Sequence, residues 1–160
     1  VIIFLLPLSR NQNLTIMSYV TSFYHIIIST HNREPSLTEE RREDLYRYIW
    51  GIVKKNNCKL LRINGMADHI HMLLELSSCV SLSDIVHEIK RGSSYWLKKN
   101  SIMPDFDGWT KEYAAFSCRF EDKERIKTYI INQQEHHKNN SFEYELEMNL
   151  KRNGLTLFKK

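Results

Sequence analysis

Cysteine is scarce and poorly placed for chemistry. The three cysteines, Cys58, Cys79 and Cys118, stand far apart with no C-x-x-C spacing, so neither a disulfide framework nor a thiolate zinc site is indicated. They read as small core residues of a reduced, cytoplasmic chain. A membrane-spanning run is missing as well. The apolar opening Val1-Ile-Ile-Phe-Leu-Leu-Pro-Leu8 has eight residues, against the roughly 20 needed to cross a bilayer. It has no basic stretch before it and no small-residue cleavage pattern after it, so no membrane partner is expected. Residues 1–16, including the polar stretch Ser9 to Thr15, read as an appended or mis-started segment without a catalytic role. Residues 17–160 read as one domain, since 42% hydrophobic content suffices for one ordinary core. Repeats and disorder-prone tracts are absent, and a formal charge of +4 permits a polyanionic partner without demanding one.

What is present centres on His69-Ile-His-Met-Leu-Leu-Glu-Leu76. Successive side chains of an extended strand point to opposite faces. Ile70, Met72, Leu74 and Leu76 therefore form one apolar face, and His69 and His71 lead the other. Two imidazoles two residues apart on a strand make a preformed clamp for a divalent metal. The bland alternative is a pair of histidines on the polar side of a half-buried strand, because H-x-H is a short pattern.

The rest of the chain supplies a frame. Phe23 to Ile28 reads as a strand buried on both faces, with His25 as a core or near-core histidine. Thr38 opens a helix carrying Leu45, Ile49, Ile52 and Val53 at helical spacing as far as about Lys55. Cys58 to Asn64 is a second strand, and the few residues separating it from His69 predict an antiparallel hairpin with Asp68 at its mouth. Ser81 or Ser83 caps a second helix with Leu82, Ile85, Val86, Ile89 and Trp96 toward the core. Tyr113 to Phe120 is a fourth strand, Asp122 opens one long helix from Lys123 to about Lys138, and Ser141 to Arg152 forms an amphipathic tail with Phe142, Leu146 and Leu150. The order strand, helix, strand, strand, helix, strand, helix is the split β-α-β pattern of ferredoxin-like α+β folds. It predicts an antiparallel sheet with helices on one face and the other face free for a ligand, plus a C-terminal helix that carries Tyr129.

Within that last helix Tyr129 and Gln133 are four residues apart and stand one above the other, while Ile126 and Ile130 supply its apolar stripe. Taken alone, Tyr129 is a core-edge aromatic. Beside Asp68-His-Ile-His71, and followed by Glu135-His-His-Lys138, Phe142 and Glu145, it gives the chain a likeness from about Tyr19 to Gly154. Over that span the chain resembles the single-tyrosine HUH transposases, which include small insertion-sequence transposases and repeat-associated tyrosine transposases. Ala67 stands where the family often has proline before the aspartate, a departure that bears on the turn.

The resemblance implies an endonuclease and strand transferase acting on single-stranded or hairpin DNA. Tyr129 would attack a phosphodiester and keep the 5′-phosphate as a phosphotyrosine, and His69, His71 and Gln133 would hold one Mg²⁺ or Mn²⁺. Asp68 would orient a histidine or shape the turn. A neutral oxygen ligand with two imidazoles suits those ions better than a closed zinc site. A tyrosine, with an ordinary pKa near 10, needs a group to take its proton, and none stands beside Tyr129 in sequence. His136 and His137, seven and eight residues on, are candidates for that role or for phosphate contacts. Lys90, Arg91, Lys98 and Lys99 surround Ser93, Ser94, Tyr95 and Trp96, a mixture able to hold phosphates and stack an unpaired base. Arg119 is a weaker DNA-contact candidate. Insertion-sequence members work as dimers with shared sites and repeat-associated members act as monomers, so a homodimer and a monomer both stay open.

Two other functions compete. A zinc-type metallohydrolase can begin with H-x-H but recruits a further histidine or acid, and no H-x-H-x-D continuation follows here. A non-catalytic RNA-binding module would want exposed aromatics on its central strands, where His69 and His71 stand instead.

Overall fold

The computed structural model describes residues 20–137 and 141–156, apart from the side chain of His136. The segment 1–16 and Lys138 lie outside the described residues. Four strands form one antiparallel sheet in the order β2-β3-β1-β4: β1 (Phe23–Ser29), β2 (Lys59–Gly65), β3 (His69–Glu75) and β4 (Ala114–Cys118). The β-branched and aromatic run of β1 suits a strand buried on both faces, and it lies at the sheet's centre between β3 and β4.

Helices α1 (Glu39–Lys55) and α2 (Leu82–Lys99) cover one face. Leu45, Ile49 and Val53 of α1 and Ile85, Val86, Ile89 and Leu97 of α2 meet Ile26, Ile28, Ile70, Met72 and Leu74 in the main core. Ser81 caps α2, its side chain accepting from Asp84 N at 3.1 Å. The core-facing stripe of α2 runs Ile85, Ile89, Ser93, Leu97, and Trp96 packs at the edge of the same core, as expected. Trp96 is half-buried and stacks on Tyr48 of α1, with ring centroids 4.6 Å apart. Ser93 is tolerated in the stripe because its hydroxyl donates to Ile89 O at 2.6 Å and accepts from Trp109 Nε1 at 2.9 Å.

The opposite face, expected to lie free, is covered by the C-terminal helices. The single long helix expected there divides into α3 (Lys123–Ile131) and α4 (Gln133–His137), followed by α5 (Phe142–Arg152). The break has a cause in β2. Asn64 Nδ2 donates to the carbonyls of Ile130 and Ile131 at 2.9 and 3.0 Å, oxygens that a continuing helix would bond to residues four further on. Asn132 leaves helical geometry at φ −89°, ψ 19°. Ile126 and Ile130 pack on Leu73, while Phe142 packs with Ile27 and Phe116. Among the described residues no helix is long and apolar enough to cross a membrane.

The β2–β3 turn is tightly held. A side chain at Gly65 would bring its Cβ to 2.2 Å from His69 O, so only glycine allows the two backbones to approach there. Arg42 reaches back from α1 to donate to Gly65 O at 2.6 Å, and Ala67 O accepts from Leu37 N at 2.8 Å.

Candidate active site

Strand alternation does what the period of two predicts: Ile70, Met72 and Leu74 enter the main core, and His69 and His71 point to the opposite face, 1% and 0% exposed. Each histidine is oriented through its Nδ1. His69 Nδ1 donates to Asp68 Oδ1 at 2.6 Å, and His71 Nδ1 lies 3.0 Å from Nε2 of His25, its diagonal neighbour on β1. Protons on both Nδ1 atoms leave both Nε2 atoms as lone-pair donors directed at one spot.

Asp68 is itself fixed by Arg33, whose Nε donates to Oδ2 at 2.9 Å and whose terminal nitrogen makes a still closer contact. Partial burial opposes ionisation of Asp68, but hydrogen bonds from His69 and Arg33 outweigh it and hold the carboxyl down at about 2. Arg33 gains this position from a reversal after β1 in which Asn32 and Arg33 take φ of 51° and 61°. Its guanidinium also lies 3.7 Å from the Phe142 ring centroid. Burial alone lowers the pKa of His25 to about 4.

The tyrosine side of the site comes from α3 to α5. Tyr129 is half-buried, its ring 6.0 Å from that of His71 and 5.8 Å from that of His25, edge-on in both cases. Its hydroxyl donates to Glu145 Oε1 in a very short contact, and Asn149 Nδ2 donates to the same hydroxyl at 3.3 Å. Gln133, fully buried at the start of α4, donates from Nε2 to Glu145 Oε1 at 3.0 Å. Although the helix is broken between them, Tyr129 and Gln133 meet on one carboxylate. Burial pushes that carboxyl up to about 7.

His137 stands at the same spot. Its ring lies 4.8 Å from that of His69, and its Nε2 is 2.8 Å from Glu145 Oε2 without hydrogen-bond alignment. The ligand-capable atoms of His69, His71, His137 and Glu145 all fall within 4.8 Å of one another. His69 Nε2 and Gln133 Oε1 are buried with no hydrogen-bond partner, a costly condition unless something else uses their lone pairs. The arrangement can hold a divalent cation beside a tyrosine hydroxyl.

The candidate DNA contacts disperse. Lys90, Arg91 and Ser94 line one groove of about 650 Å³ with His87, Lys111 and Tyr113. Lys90 donates its ammonium to Lys111 O and Glu112 O at 2.8 and 3.3 Å, and Arg91 Nη2 donates to both carboxylate oxygens of Glu88 at 2.9 Å. Lys98 faces Asp107 at 3.7 Å, and exposed Arg119 pairs with Asp122 at 3.1 Å. His137, expected on DNA or as the tyrosine's base, faces His69 and Glu145, whose carboxylate also meets the Tyr129 hydroxyl.

Glu145 as the partner of the Tyr129 hydroxyl is what sequence reasoning missed. Glu145 entered the sequence reading only as one residue of the tail that carries the resemblance, with no role assigned to it. Arg33 carried no signal at all.

Residues 18–133 match the family model described as transposase IS200 like. The transposases for insertion sequence element IS200 of Salmonella typhimurium strain LT2 and of Salmonella typhi are each 31% identical over 74 residues, which are 46% of this chain and 49% of theirs. The chain thus spans about half the length of these curated relatives. A solved structure of a Deinococcus radiodurans R1 protein described as a transposase shares the fold at a TM-score of 0.56 and 22% identity, covering 79% of this chain and 98% of that one. The structure of a REP-associated tyrosine transposase bound to a REP hairpin gives 0.59 at 15% identity, covering 81% and 74%. With the family model reaching from the first strand to Gln133, the tyrosine, both histidines and the sheet beneath them all fall within the match, and the chain belongs to the IS200-like transposase family.

Proposed function

We propose that this chain nicks and rejoins single-stranded or hairpin DNA through a covalent phosphotyrosine on Tyr129. The observation that carries the reading is the meeting of the Tyr129 hydroxyl, Gln133 and the two strand histidines around one buried carboxylate. His69, His71 and Gln133 would hold one Mg²⁺ or Mn²⁺, and the buried lone pairs of His69 Nε2 and Gln133 Oε1 fit that use. Bound there, the ion supplies positive charge against phosphate oxygens that gain negative charge during transfer.

The chain's own residues do the rest. The Tyr129 oxygen forms a bond to phosphorus and passes its proton to Glu145 Oε1, the acceptor it already touches. A carboxylate already hydrogen-bonded to the attacking hydroxyl is placed to act as its general base. The bond from phosphorus to the upstream 3′-oxygen breaks, and that oxygen leaves as a hydroxyl after taking a proton from water. The downstream strand stays on Tyr129 through its 5′-phosphate, and a 3′-hydroxyl reverses the step. Asp68 with Arg33, and His25, keep the two imidazoles in the tautomer and orientation that face the cluster. The groove of Lys90, Arg91 and Ser94 is the best candidate path for the phosphate backbone.

The test is incubation with Mn²⁺ and a hairpin-bearing oligonucleotide labelled 3′ of the cut, read on a denaturing gel. Wild type is expected to give a protein-linked band that Tyr129→Phe abolishes. A band that persists in the variant would assign the nucleophile elsewhere. A second reading, metal-assisted hydrolysis by water, is favoured by one observation: His137 and Glu145 are the extra histidine and acid that zinc hydrolases recruit. Cleavage without any protein-linked product would select it. An RNA-binding module has no comparable support, since the central strands present buried His25, Ile27, His69 and His71 to the C-terminal helices and no exposed aromatic platform.

A further inference from the structure

We propose that Glu145 is a bridging ligand: Oε2 binds the metal beside His69, His71 and His137, while Oε1 keeps the Tyr129 hydroxyl and the Gln133 amide, so that the metal fastens α5 onto the sheet. This rests on the metal-dependent reading above. It adds two ligands from the C-terminal helices to the histidine pair, and it makes the tail part of the reaction centre.

The geometry supports each half. Oε1 already accepts from the Tyr129 hydroxyl and, at 3.0 Å, from Gln133 Nε2. Oε2 and His137 Nε2 face each other at 2.8 Å without hydrogen-bond alignment, slightly closer than two adjacent ligands on one ion, so a small outward shift of the pair admits the cation. Donors at about 2.1 Å from a common cation lie roughly 3–4.2 Å from one another. The four candidate ligand atoms span no more than 4.8 Å, so a contraction of a few tenths of an ångström closes the set. Glu145 is 8% exposed on a tail helix whose surroundings offer it no lysine or arginine partner among the described ion pairs. A carboxylate so buried needs compensation, and a cation at this point gives it. α5 is otherwise held by modest means: Phe142 against the His69 ring at 4.5 Å, the Arg33 guanidinium over Phe142, and Leu146 and Leu150 on a small satellite core.

The experiment uses the full chain, stripped with chelator and titrated with Mn²⁺ by calorimetry, with Co²⁺ as a spectroscopic stand-in. Glu145→Gln and His137→Ala are each expected to weaken Mn²⁺ binding at least about tenfold. Glu145→Gln should also shift the visible bands of bound Co²⁺, and Glu145→Asp should recover part of the affinity. In unmodified protein, Mn²⁺ should slow amide hydrogen exchange across Phe142–Arg152. Equal Mn²⁺ affinity and an unchanged Co²⁺ spectrum in Glu145→Gln would overturn the proposal while leaving the histidine-pair reading intact. Failure of unmodified protein to bind Mn²⁺ would overturn both. Should Glu145→Gln not fold, the exchange measurement decides alone: protection of α5 by Mn²⁺ supports the bridge, and indifference of α5 to Mn²⁺ excludes it.

Discussion

His25 shows how one side chain can serve a metal site without touching the metal. Its Nε2 lies 3.0 Å from Nδ1 of His71, and burial lowers its pKa to about 4 from an ordinary 6.5. A neutral His25 accepts the His71 Nδ1 proton; a charged one cannot. The unfolded chain takes up a proton near pH 6.5 and the folded chain only near 4, so between these values the unfolded state binds more protons and stability falls as pH falls. The loss from this residue comes to about 2 kcal/mol by pH 5. Urea unfolding of chelator-treated protein at pH 7 and pH 5 should show it, and His25→Phe should lessen the difference. An equal acid loss in the variant would place the titrating group elsewhere.

Asn64 links two elements that the sequence shows as unrelated. Its amide holds the carbonyls of Ile130 and Ile131 and ends α3 where Gln133 must turn inward. Asn64→Ala is expected to lower unfolding free energy by about 1–2 kcal/mol, as two hydrogen bonds to helical carbonyls are lost. It should also weaken Mn²⁺ binding, because the segment that sets Gln133 beside Glu145 loses its tie to β2. Unchanged stability and unchanged Mn²⁺ titration would remove Asn64 from this role. The same pair of residues explains what could be read in advance. Strand and helix order, the hairpin at Gly65 and the facing of His69 and His71 all follow from local periodicity and turn chemistry. The break at Asn132 depends on a side chain 66 residues away from Ile130, and no local pattern carries it. The covering of the second face by α5 was hidden for a related reason. A short amphipathic tail shows that it has a partner, but not that Phe142 will seat on His69 or that Glu145 will meet Tyr129.

At the scale of the whole molecule, the question is whether one chain owns its site. β4 ends at Cys118 and α3 begins at Lys123, joined by a single 3-10 turn over Phe120–Asp122. So short a link gives the tyrosine helix little freedom to reach another subunit. α3 instead packs on its own β2 and β3 through Ile126 and Ile130 against Leu61 and Leu73. Tyr129 then lies edge-on to its own chain's His25 and His71. Histidines and tyrosine from the same chain predict that two differently crippled chains cannot rescue each other. Mixing His71→Ala with Tyr129→Phe, after co-refolding to allow any exchange of subunits, is expected to give no protein-linked DNA. A shared site would instead pair an intact histidine cluster from one chain with an intact tyrosine from the other and restore a fraction of the adduct. Recovery of that band in the mixture, with none in either variant alone, would show that α3 crosses between subunits during the reaction.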